Sequence, residues 1–232
     1  MKASIEFIVC AKVVDDDCVR HVHNVLQLIA ASGADHAVTI VYHEANVSNV
    51  LGKPSENEAQ VKLLQDDGRG IYSAMNLGVR ATNREFVYFC NPGDSLLCVP
   101  NDLIGDINCF PVAVIGSDGE YRYLRTPDHN GRLMPPHQGM FARRNLLTKV
   151  PFDEQLQSCG DLDWYLKTRH HAVFYKFPVV SYFRLGGISN NPKYFFTRKI
   201  ERLRILKAAY KRERKKFLQY YFKILLAARI LR

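Results

Sequence analysis

The 232-residue sequence has no two cysteines at the spacing of a metal-binding pair or of a disulfide framework. Its six cysteines are scattered along the chain, and Cys10 and Cys90 fall inside segments that read as strands. This spacing argues against zinc-ribbon proteins and small disulfide-stapled proteins. We therefore expect buried free thiols and a reducing compartment, which is the cytoplasm.

Long apolar runs and the common nucleotide-binding loops are also missing. No stretch approaches the roughly 20 apolar residues that span a bilayer, and the apolar run near Met1 is too short for a secretory signal. The glycine-containing loop at residues 65–70 has neither GxGxxG spacing nor the Gly-Lys-Ser/Thr of a P-loop. A dinucleotide fingerprint and a kinase-like loop are therefore not supported.

Positive charge is concentrated at one end of the chain. Residues 192–232 contain 14 Lys or Arg and two acids, a balance of +12, whereas the remaining 18 basic and 21 acidic residues give −3. The sequence therefore predicts a catalytic or binding domain at residues 1–190 and a basic tail at 191–232.

Apolar segments that read as strands alternate with helical segments up to Asp94. Strands are predicted at residues 4–11, 36–43 and 86–90, and helices at residues 15–33, 56–64 and 70–82. This alternation is typical of an α/β fold with a parallel sheet. Beyond Asp94 the segments are shorter and partly antiparallel, which divides the domain into residues 1–98 and 99–190.

Two polar features follow predicted strands. The apolar run at residues 86–90 ends in Asn-Pro-Gly-Asp, which leaves Asp94 at the edge of the sheet where α/β proteins bind ligands. The loop "QDDGRG" opens a helix, so its backbone N–H groups suit an anion. Each feature also has a plain structural interpretation, as a turn aspartate bonding its own backbone and as an ordinary surface loop.

Five motifs occur in the order in which family 2 glycosyltransferases of bacterial polysaccharide assembly, including the colanic-acid type, carry them. Residues 65–94 resemble the central stretch of this family. Further along, the stretches "PPHQGMFARRNLL", "FDEQL", "GDLDWYL" and "FRLGGIS" resemble later motifs of the family, again in order. The resemblance covers roughly residues 3–190. It implies the GT-A fold, in which a Rossmann-like mixed sheet with helices on both faces binds a nucleotide sugar.

The resemblance implies that Asp94 binds a divalent metal, Mn²⁺ or Mg²⁺, which bridges the diphosphate of the donor. Asn91 and Gly93 take the other positions of the family's DxD-type motif, so Asp94 is its only carboxylate here. A hard cation held by oxygen neutralises the charge that develops on the leaving diphosphate.

The resemblance also implies an inverting transfer, in which a carboxylate takes the proton of the attacking hydroxyl. The matching family acid falls on Asp161, at a predicted helix start where the dipole favours its ionised form. A helix cap is the structural alternative for Asp161, and Asp163 is its rival as the base. The family's preceding acid is Gly160 here.

Other motif positions imply contacts with the donor or with the acceptor. Asp67, Arg69, Tyr72 and Asn76 are predicted donor contacts, with solvated loop charge as the alternative for the first two. His137, Gln138, Asp163 and Trp164 are predicted near the sugar or the acceptor, although His137 could equally be a packed histidine. Two acids usual in the family are displaced. Tyr42, His43 or Glu44 takes the position after the second strand, and Gly68 takes the loop position, with Asp66 and Asp67 shifted from it by one or two positions.

The basic tail has helical periodicity, with Phe196, Ile200, Leu203 and Leu206 as one predicted apolar stripe. Basic and apolar faces together are typical of helices that lie on an anionic membrane. Packing on the domain or on a second copy in a homodimer is the alternative. Nucleic-acid binding has charge alone in its favour, without a recognised motif.

These features together predict a cytoplasmic inverting hexosyltransferase, peripheral on the inner face of the cell membrane. It would move a sugar from a nucleotide-sugar donor to a glycan or lipid-linked glycan of a cell-surface polysaccharide. A UDP-linked sugar is the first candidate for the donor. A catalytically inactive sugar-nucleotide-binding protein and a basic membrane-binding module remain the alternatives.

Overall fold

The computed structural model of the chain describes residues 3–13, 16–32, 35–44, 61–90, 94–127, 133–185 and 195–209. Strands and helices alternate in the part that precedes Asp94. In chain order the described elements there are β1 (Ile5–Val13), α1 (Asp16–Ser32), β2 (Ala37–Glu44), β3 (Val61–Gln65), α2 (Ile71–Ala81) and β4 (Phe86–Cys90).

The described residues from Asp94 onward form shorter elements. They are β5 (Ser95–Leu96), β6 (Ile107–Cys109), β7 (Val112–Ile115), β8 (Tyr121–Arg125), β9 (Met140–Arg143), α3 (Arg144–Lys149), α4 (Gly160–Thr168), β10 (Ala172–Phe174), β11 (Ser181–Arg184) and α5 (Phe195–Ala209). A 3-10 turn at His137–Gly139 follows the Pro-Pro sequence and leads into β9.

A seven-stranded mixed sheet runs in the order β10-β6-β9-β4-β1-β2-β3. The pairs β1/β2, β1/β4 and β2/β3 are parallel, whereas β9 is antiparallel to both β4 and β6. A second sheet has the order β5-β11-β7-β8. Because β9 lies between β4 and β6, the predicted halves 1–98 and 99–190 share one sheet.

Strand β1 is buried on both faces, and its alternate side chains enter two apolar clusters. Phe7 and Val9 pack with α1, whereas Ile8 and Cys10 pack with α2 and α4. Glu6 is buried on the second of these faces, where its carboxylate accepts hydrogen bonds from Thr39 Oγ1 at 2.6 Å and Thr82 Oγ1 at 2.8 Å. The central strand therefore carries one charged side chain, held by two hydroxyl groups.

The predicted helix at residues 56–64 is wrong where the structure describes it. Residues Val61–Gln65 form β3, the edge strand of the large sheet, in parallel register with β2. In so short a segment the apolar positions fit the period of a helix as well as that of a strand. The hydrogen bonds that β3 forms with β2 involve residues distant in sequence, so the local pattern does not reveal them. Residues 56–60 lie outside the described part of the chain.

The other predicted strands and helices before Asp94 occur close to their expected positions. Beyond Asp94 the antiparallel pair β7/β8 agrees with the expected partly antiparallel segments, and the helix expected at Asp161 begins at Gly160. All six cysteines are free thiols, and five of them are buried. Among the described residues, no helix has both the length and the apolar character needed to cross a membrane.

Helix α5 is the described part of the basic tail, and it packs against α4. Glu201, Ile205 and Leu206 are buried at this contact, whereas Phe196 is 75% exposed and Ile200 50% exposed. The predicted stripe is therefore divided, because Leu206 faces the domain while Phe196 and Ile200 face outward. The second predicted stripe, within residues 210–232, lies outside the described residues.

Candidate functional site

A cleft of about 700 Å³ opens at the carboxyl ends of β1, β2 and β3. Its floor comes from the end of β1, one side from the loop before α2, and the opposite side from the segment before α4. The lining residues include Cys10, Lys12, His43, Asp66, Arg69, Ile71, Glu154 and Gln157. This is the sheet edge at which the sequence predicts the donor site.

Asp66 supplies a carboxylate inside this cleft. Its Oδ1 atom accepts a hydrogen bond from the Gly68 amide at 2.8 Å and lies 3.2 Å from His43 Nδ1. Gly68 has φ +74°, and a Cβ built on it would lie 2.5 Å from the imidazole ring of His43. The glycine at the loop position therefore allows His43 to lie against the backbone and Asp66 to turn inward.

Asp67 and Arg69 lie at the rim of the cleft. Arg69 Nε donates to Asp67 Oδ2 at 2.6 Å, and this hydrogen bond lowers the pKa of the exposed Asp67 carboxyl. Arg69 also reaches across to Glu154, with NH1 and Oε2 2.9 Å apart. The sequence motifs did not single out Glu154, since its importance depends on a contact between residues 85 positions apart.

Asn76 and Tyr72 face the cleft wall from α2. The Asn76 amide donates to the Phe152 carbonyl at 2.9 Å and to Glu154 Oε1 at 3.0 Å, and it accepts the Phe152 amide at 3.1 Å. Tyr72 is buried, which raises the pKa of its hydroxyl well above the usual range, and the hydroxyl donates to Asp161 Oδ1 at 3.4 Å. Both side chains thus organise neighbouring protein groups, and their contact with a donor stays a prediction.

Asp94 lies where β4 leads into the small sheet. Its Oδ1 atom accepts the Arg184 amide at 3.2 Å, and its Oδ2 atom accepts from Gln138 Nε2 at 3.3 Å. The carboxylate is therefore oriented from two sides by N–H donors. Asn91 and Gly93, the other predicted members of this motif, lie outside the described residues.

The turn that contains His137 and Gln138 connects Asp94 with Asp161. The Gln138 carbonyl is fixed by Tyr88 Oη at 2.7 Å and by Ser181 Oγ at 2.8 Å. The preceding residue, His137, has its Nδ1 atom 3.6 Å from Asp161 Oδ2. The structure thus brings four predicted residues into one polar row, in the order Asp94, Gln138, His137 and Asp161.

The two aspartates of α4 have different surroundings. Asp161 accepts hydrogen bonds from the Tyr72 hydroxyl and the Leu162 amide, and it lies beside His137. Its side chain is 26% exposed. Asp163 instead forms an ion pair with Lys167, with Nζ and Oδ2 2.6 Å apart. The predicted acceptor residue Trp164 is buried and donates to the Val150 carbonyl at 2.7 Å, so it supports the core.

The described residues contain no group of three or more His, Cys, Asp or Glu side chains that could enclose a metal by themselves. Asp94 offers one hard oxygen ligand beside the Gln138 amide. This arrangement fits a Mg²⁺-like ion that takes its other ligands from substrate phosphates and water. The donor set therefore suits a cation that arrives with a phosphorylated substrate.

The fold, unlike the sequence, has matches among known proteins. No protein-family model and no curated protein matches the sequence. Solved structures of TarS from S. aureus, a glycosyltransferase, do match its fold.

The TarS 1–349 complex with UDP is 15% identical, with a TM-score of 0.60 over 88% of this chain and 65% of that one. The complex with UDP-GlcNAc is 16% identical, with a TM-score of 0.58 over 80% and 59% of the two chains. A longer TarS structure is 14% identical, with a TM-score of 0.59 over 90% of this chain and 39% of that one. The chain thus spans about two thirds or less of these proteins, and its described α/β domain has a GT-A-like glycosyltransferase fold.

Proposed function

We propose that the protein is a nucleotide-sugar-dependent glycosyltransferase that inverts the configuration of the transferred sugar. The observation that carries this proposal is the polar row from Asp94 through Gln138 and His137 to Asp161. A transferase needs one group at the leaving diphosphate and a second at the attacking hydroxyl. The row supplies a carboxylate for each role, one at each of its two ends.

In this proposal Asp161 is the general base. The acceptor oxygen forms a bond to the anomeric carbon as the bond from that carbon to the diphosphate breaks, and Asp161 takes the hydroxyl proton. Its Oδ1 atom accepts from the Leu162 amide at 2.8 Å. This bond and the Tyr72 hydroxyl, 3.4 Å from the same atom, fix the orientation of the carboxylate.

Asp94 would hold the Mn²⁺ or Mg²⁺ ion that the resemblance implies, and the Gln138 side chain orients its carboxylate by donating to Oδ2. When bound, this ion neutralises charge on the departing diphosphate. The Arg184 amide fixes the direction of the Asp94 carboxylate. Lys12 and Arg69 add positive charge at the cleft where the diphosphate would lie.

A UDP-linked sugar is the donor that we propose first, because the structures with the same fold contain UDP and UDP-GlcNAc. The cleft next to Asp66 and His43 has the position and size for the nucleoside. Asp66 then contributes the acid that the family carries two positions later, with Gly68 making room for it.

The proposed acceptor is a glycan hydroxyl, and the basic tail suggests a lipid-linked glycan at the inner face of the cell membrane. Helix α5 supports this part of the proposal. Its outward-facing side chains include Phe196, Ile200, Arg204 and Lys207, while its one acid, Glu201, is buried against the domain. Exposed apolar and cationic groups together suit an anionic lipid surface.

Release of nucleoside diphosphate from a panel of nucleotide sugars tests the proposed function. Wild type, Asp94→Ala and the control Asp102→Ala would each be assayed with Mn²⁺, Mg²⁺ or EDTA. We expect release from one donor, lost in EDTA and reduced at least about 100-fold in Asp94→Ala, because the leaving group loses its charge stabilisation. Asp102 is exposed and near in sequence, so its variant should retain full activity.

Calorimetric titration with the same donors covers the case in which no turnover occurs. Metal-dependent binding without release, even with glycan acceptors present, would indicate the inactive sugar-nucleotide-binding protein instead. Absence of both release and binding would contradict the proposed function. Equal activity of wild type and Asp94→Ala would contradict the role of Asp94.

A further inference from the structure

One wall of the cleft is a segment without regular structure, residues 152–158, which we call the wall segment. Its first residue is held from α2, because Asn76 bonds both the amide and the carbonyl of Phe152. Glu154, Gln155, Leu156 and Gln157 then line the cleft. The wall segment ends directly before α4, the helix that carries Asp161.

The far end of the wall segment is held by the C-terminal helix. Glu201 of α5 accepts the Gln157 amide at 2.7 Å through Oε1. Its Oε2 atom accepts the Ser158 amide at 3.1 Å and the Ser158 hydroxyl at 3.2 Å. Three donors therefore converge on one carboxylate from outside the cleft.

Glu201 is the one acid in α5, and it is 6% exposed. A carboxylate is costly to remove from water unless hydrogen bonds replace its hydration. Neighbouring residues of the same helix face, Ile205 and Leu206, are apolar and already pack α5 on the domain. Packing alone therefore does not account for the carboxylate, whereas its three bonds to the wall segment do.

The anchored backbone leads to the proposed base within a few residues. Ser158 is bonded to Glu201, the Cys159 thiol donates to the Arg198 carbonyl of α5 at 3.8 Å, and α4 begins at Gly160. A Cβ on Gly160 would lie 2.8 Å from the ring of Tyr72, so this helix start has little freedom to move. Displacement at Ser158 would therefore be transmitted to Asp161 and to the cleft wall together.

We propose that Glu201 is a positioning residue that fixes both the donor cleft and Asp161 from the C-terminal helix. Its carboxylate does not meet the substrate; it acts through the wall segment. Helix α5 is therefore part of the catalytic assembly as well as of the basic tail. The kinetic consequence rests on the proposed function, whereas the anchoring itself does not.

Two measurements on the full chain test this role in Glu201→Gln and Glu201→Ala. Hydrogen exchange should become faster at the Gln157 and Ser158 amides, most strongly in Glu201→Ala. Because small displacements of reacting groups slow a reaction strongly, kcat/KM for the donor should fall by about tenfold or more in Glu201→Ala. Glu201→Gln keeps the shape and one acceptor oxygen, so it should give an intermediate loss.

Ile205→Ala is the matched control, because it weakens the packing of α5 without removing an acceptor from the wall segment. At temperatures well below both unfolding midpoints, it should leave exchange at Gln157 and Ser158 close to wild type and lower kcat/KM less than Glu201→Ala. Equal losses in the two variants would overturn the positioning role. Unchanged exchange in Glu201→Ala would overturn it as well.

The two proposals fail in different ways. If wild type neither releases nor binds a nucleotide sugar, the proposed function fails while exchange still decides whether Glu201 anchors the wall segment. If wild type is active and Glu201→Ala matches it in kcat/KM, the positioning role fails while the proposed function stands.

Discussion

Two aspartates that are two positions apart in α4 show how strongly the surroundings of a side chain determine its chemistry. Asp161 lies beside an imidazole and a buried hydroxyl at the end of the polar row. Asp163 belongs to the same turn of α4, yet its carboxylate is paired with the ammonium group of Lys167. A base must have a free path to the acceptor proton, and this requirement favours Asp161.

Asp161→Asn and Asp163→Asn make the same chemical change at these two positions. We expect Asp161→Asn to lower kcat by about 10²- to 10⁴-fold, the usual contribution of a general base, with donor binding retained. Asp163→Asn removes a partly exposed helical ion pair and should lower kcat by less than about threefold, since such pairs contribute only about 0.3–0.5 kcal/mol.

Steady-state kinetics at saturating donor, with thermal unfolding as a check on folding, measures both variants. A larger loss in Asp163→Asn than in Asp161→Asn would transfer the role of base to Asp163. Similar small losses in both would show that neither carboxylate takes the proton.

At the scale of elements, the His137–Gly139 turn packs against Phe110, which lies between β6 of the large sheet and β7 of the small sheet. The Phe110 amide donates to the Gly139 carbonyl at 2.8 Å, and a Cβ on Gly139 would lie 2.2 Å from the Phe110 carbonyl oxygen. Backbone atoms on both sides leave little room for adjustment. The glycine therefore allows the turn to approach closely enough to place His137 and Gln138 in the polar row.

Gly139→Ala should destabilise the protein by about 1–3 kcal/mol, because a methyl group against a fixed carbonyl overpacks the core. It should also lower activity by displacing the two side chains of the turn. Gly116→Ala is the matched control, since its added methyl would meet only the ends of the Asp118 and Arg122 side chains, which can move.

Chemical denaturation of the two variants beside wild type measures this difference. An equal loss of stability in both would contradict the close approach at Gly139. Loss of stability without loss of activity, in protein that is still folded, would separate the turn from the site.

The sequence predicted most strands and helices, because apolar spacing and glycine or proline punctuation are local signals. It also predicted Asp94 and Asp161 through the order of motifs. Glu154 and Glu201 were not predicted as site residues, since their partners are 85 and 44 positions away respectively. Glu154 lies within the stretch "FDEQL", but that local pattern does not show which residues it contacts. The edge strand β3 was misassigned for the related reason that its pairing with β2 is not local.

At the scale of the whole molecule, the charge of the chain is divided between a weakly acidic domain and a strongly basic tail. Helix α5 joins the two, because its inner face holds the wall segment while its outer face presents Phe196, Ile200 and cationic side chains. A lipid surface on that outer face would therefore lie on the side of α5 opposite the domain. Docking and catalysis would then share one helix.

The 232-residue chain should cosediment with phosphatidylglycerol/phosphatidylcholine vesicles and much less with phosphatidylcholine alone, and added salt should weaken binding. Replacing Arg204 and Lys207 by Ser should weaken it by about 2 kcal/mol, since each cation near an anionic surface contributes about 1 kcal/mol. Phe196→Ser should weaken it further. Ile104→Ser is the control, because Ile104 is equally exposed at 75% but lies outside the tail.

Wild-type binding that none of the α5 variants reduces would contradict docking through this helix. Concentration-dependent dimerisation that Phe196→Ser abolishes, without vesicle binding, would instead assign the outer face to a second copy of the chain.

The buried carboxylate of Glu6 has a consequence for the accuracy of the site. Successive residues of β1 point to opposite faces, so a slip by one residue would turn Glu6 away from both threonines and into the apolar face of Phe7 and Val9. The cost of an unpaired charge there penalises every out-of-step alignment with β2 and β4. Glu6 thereby fixes the register of β1 in the sheet. The register in turn determines where Cys10 and Lys12 lie along the cleft.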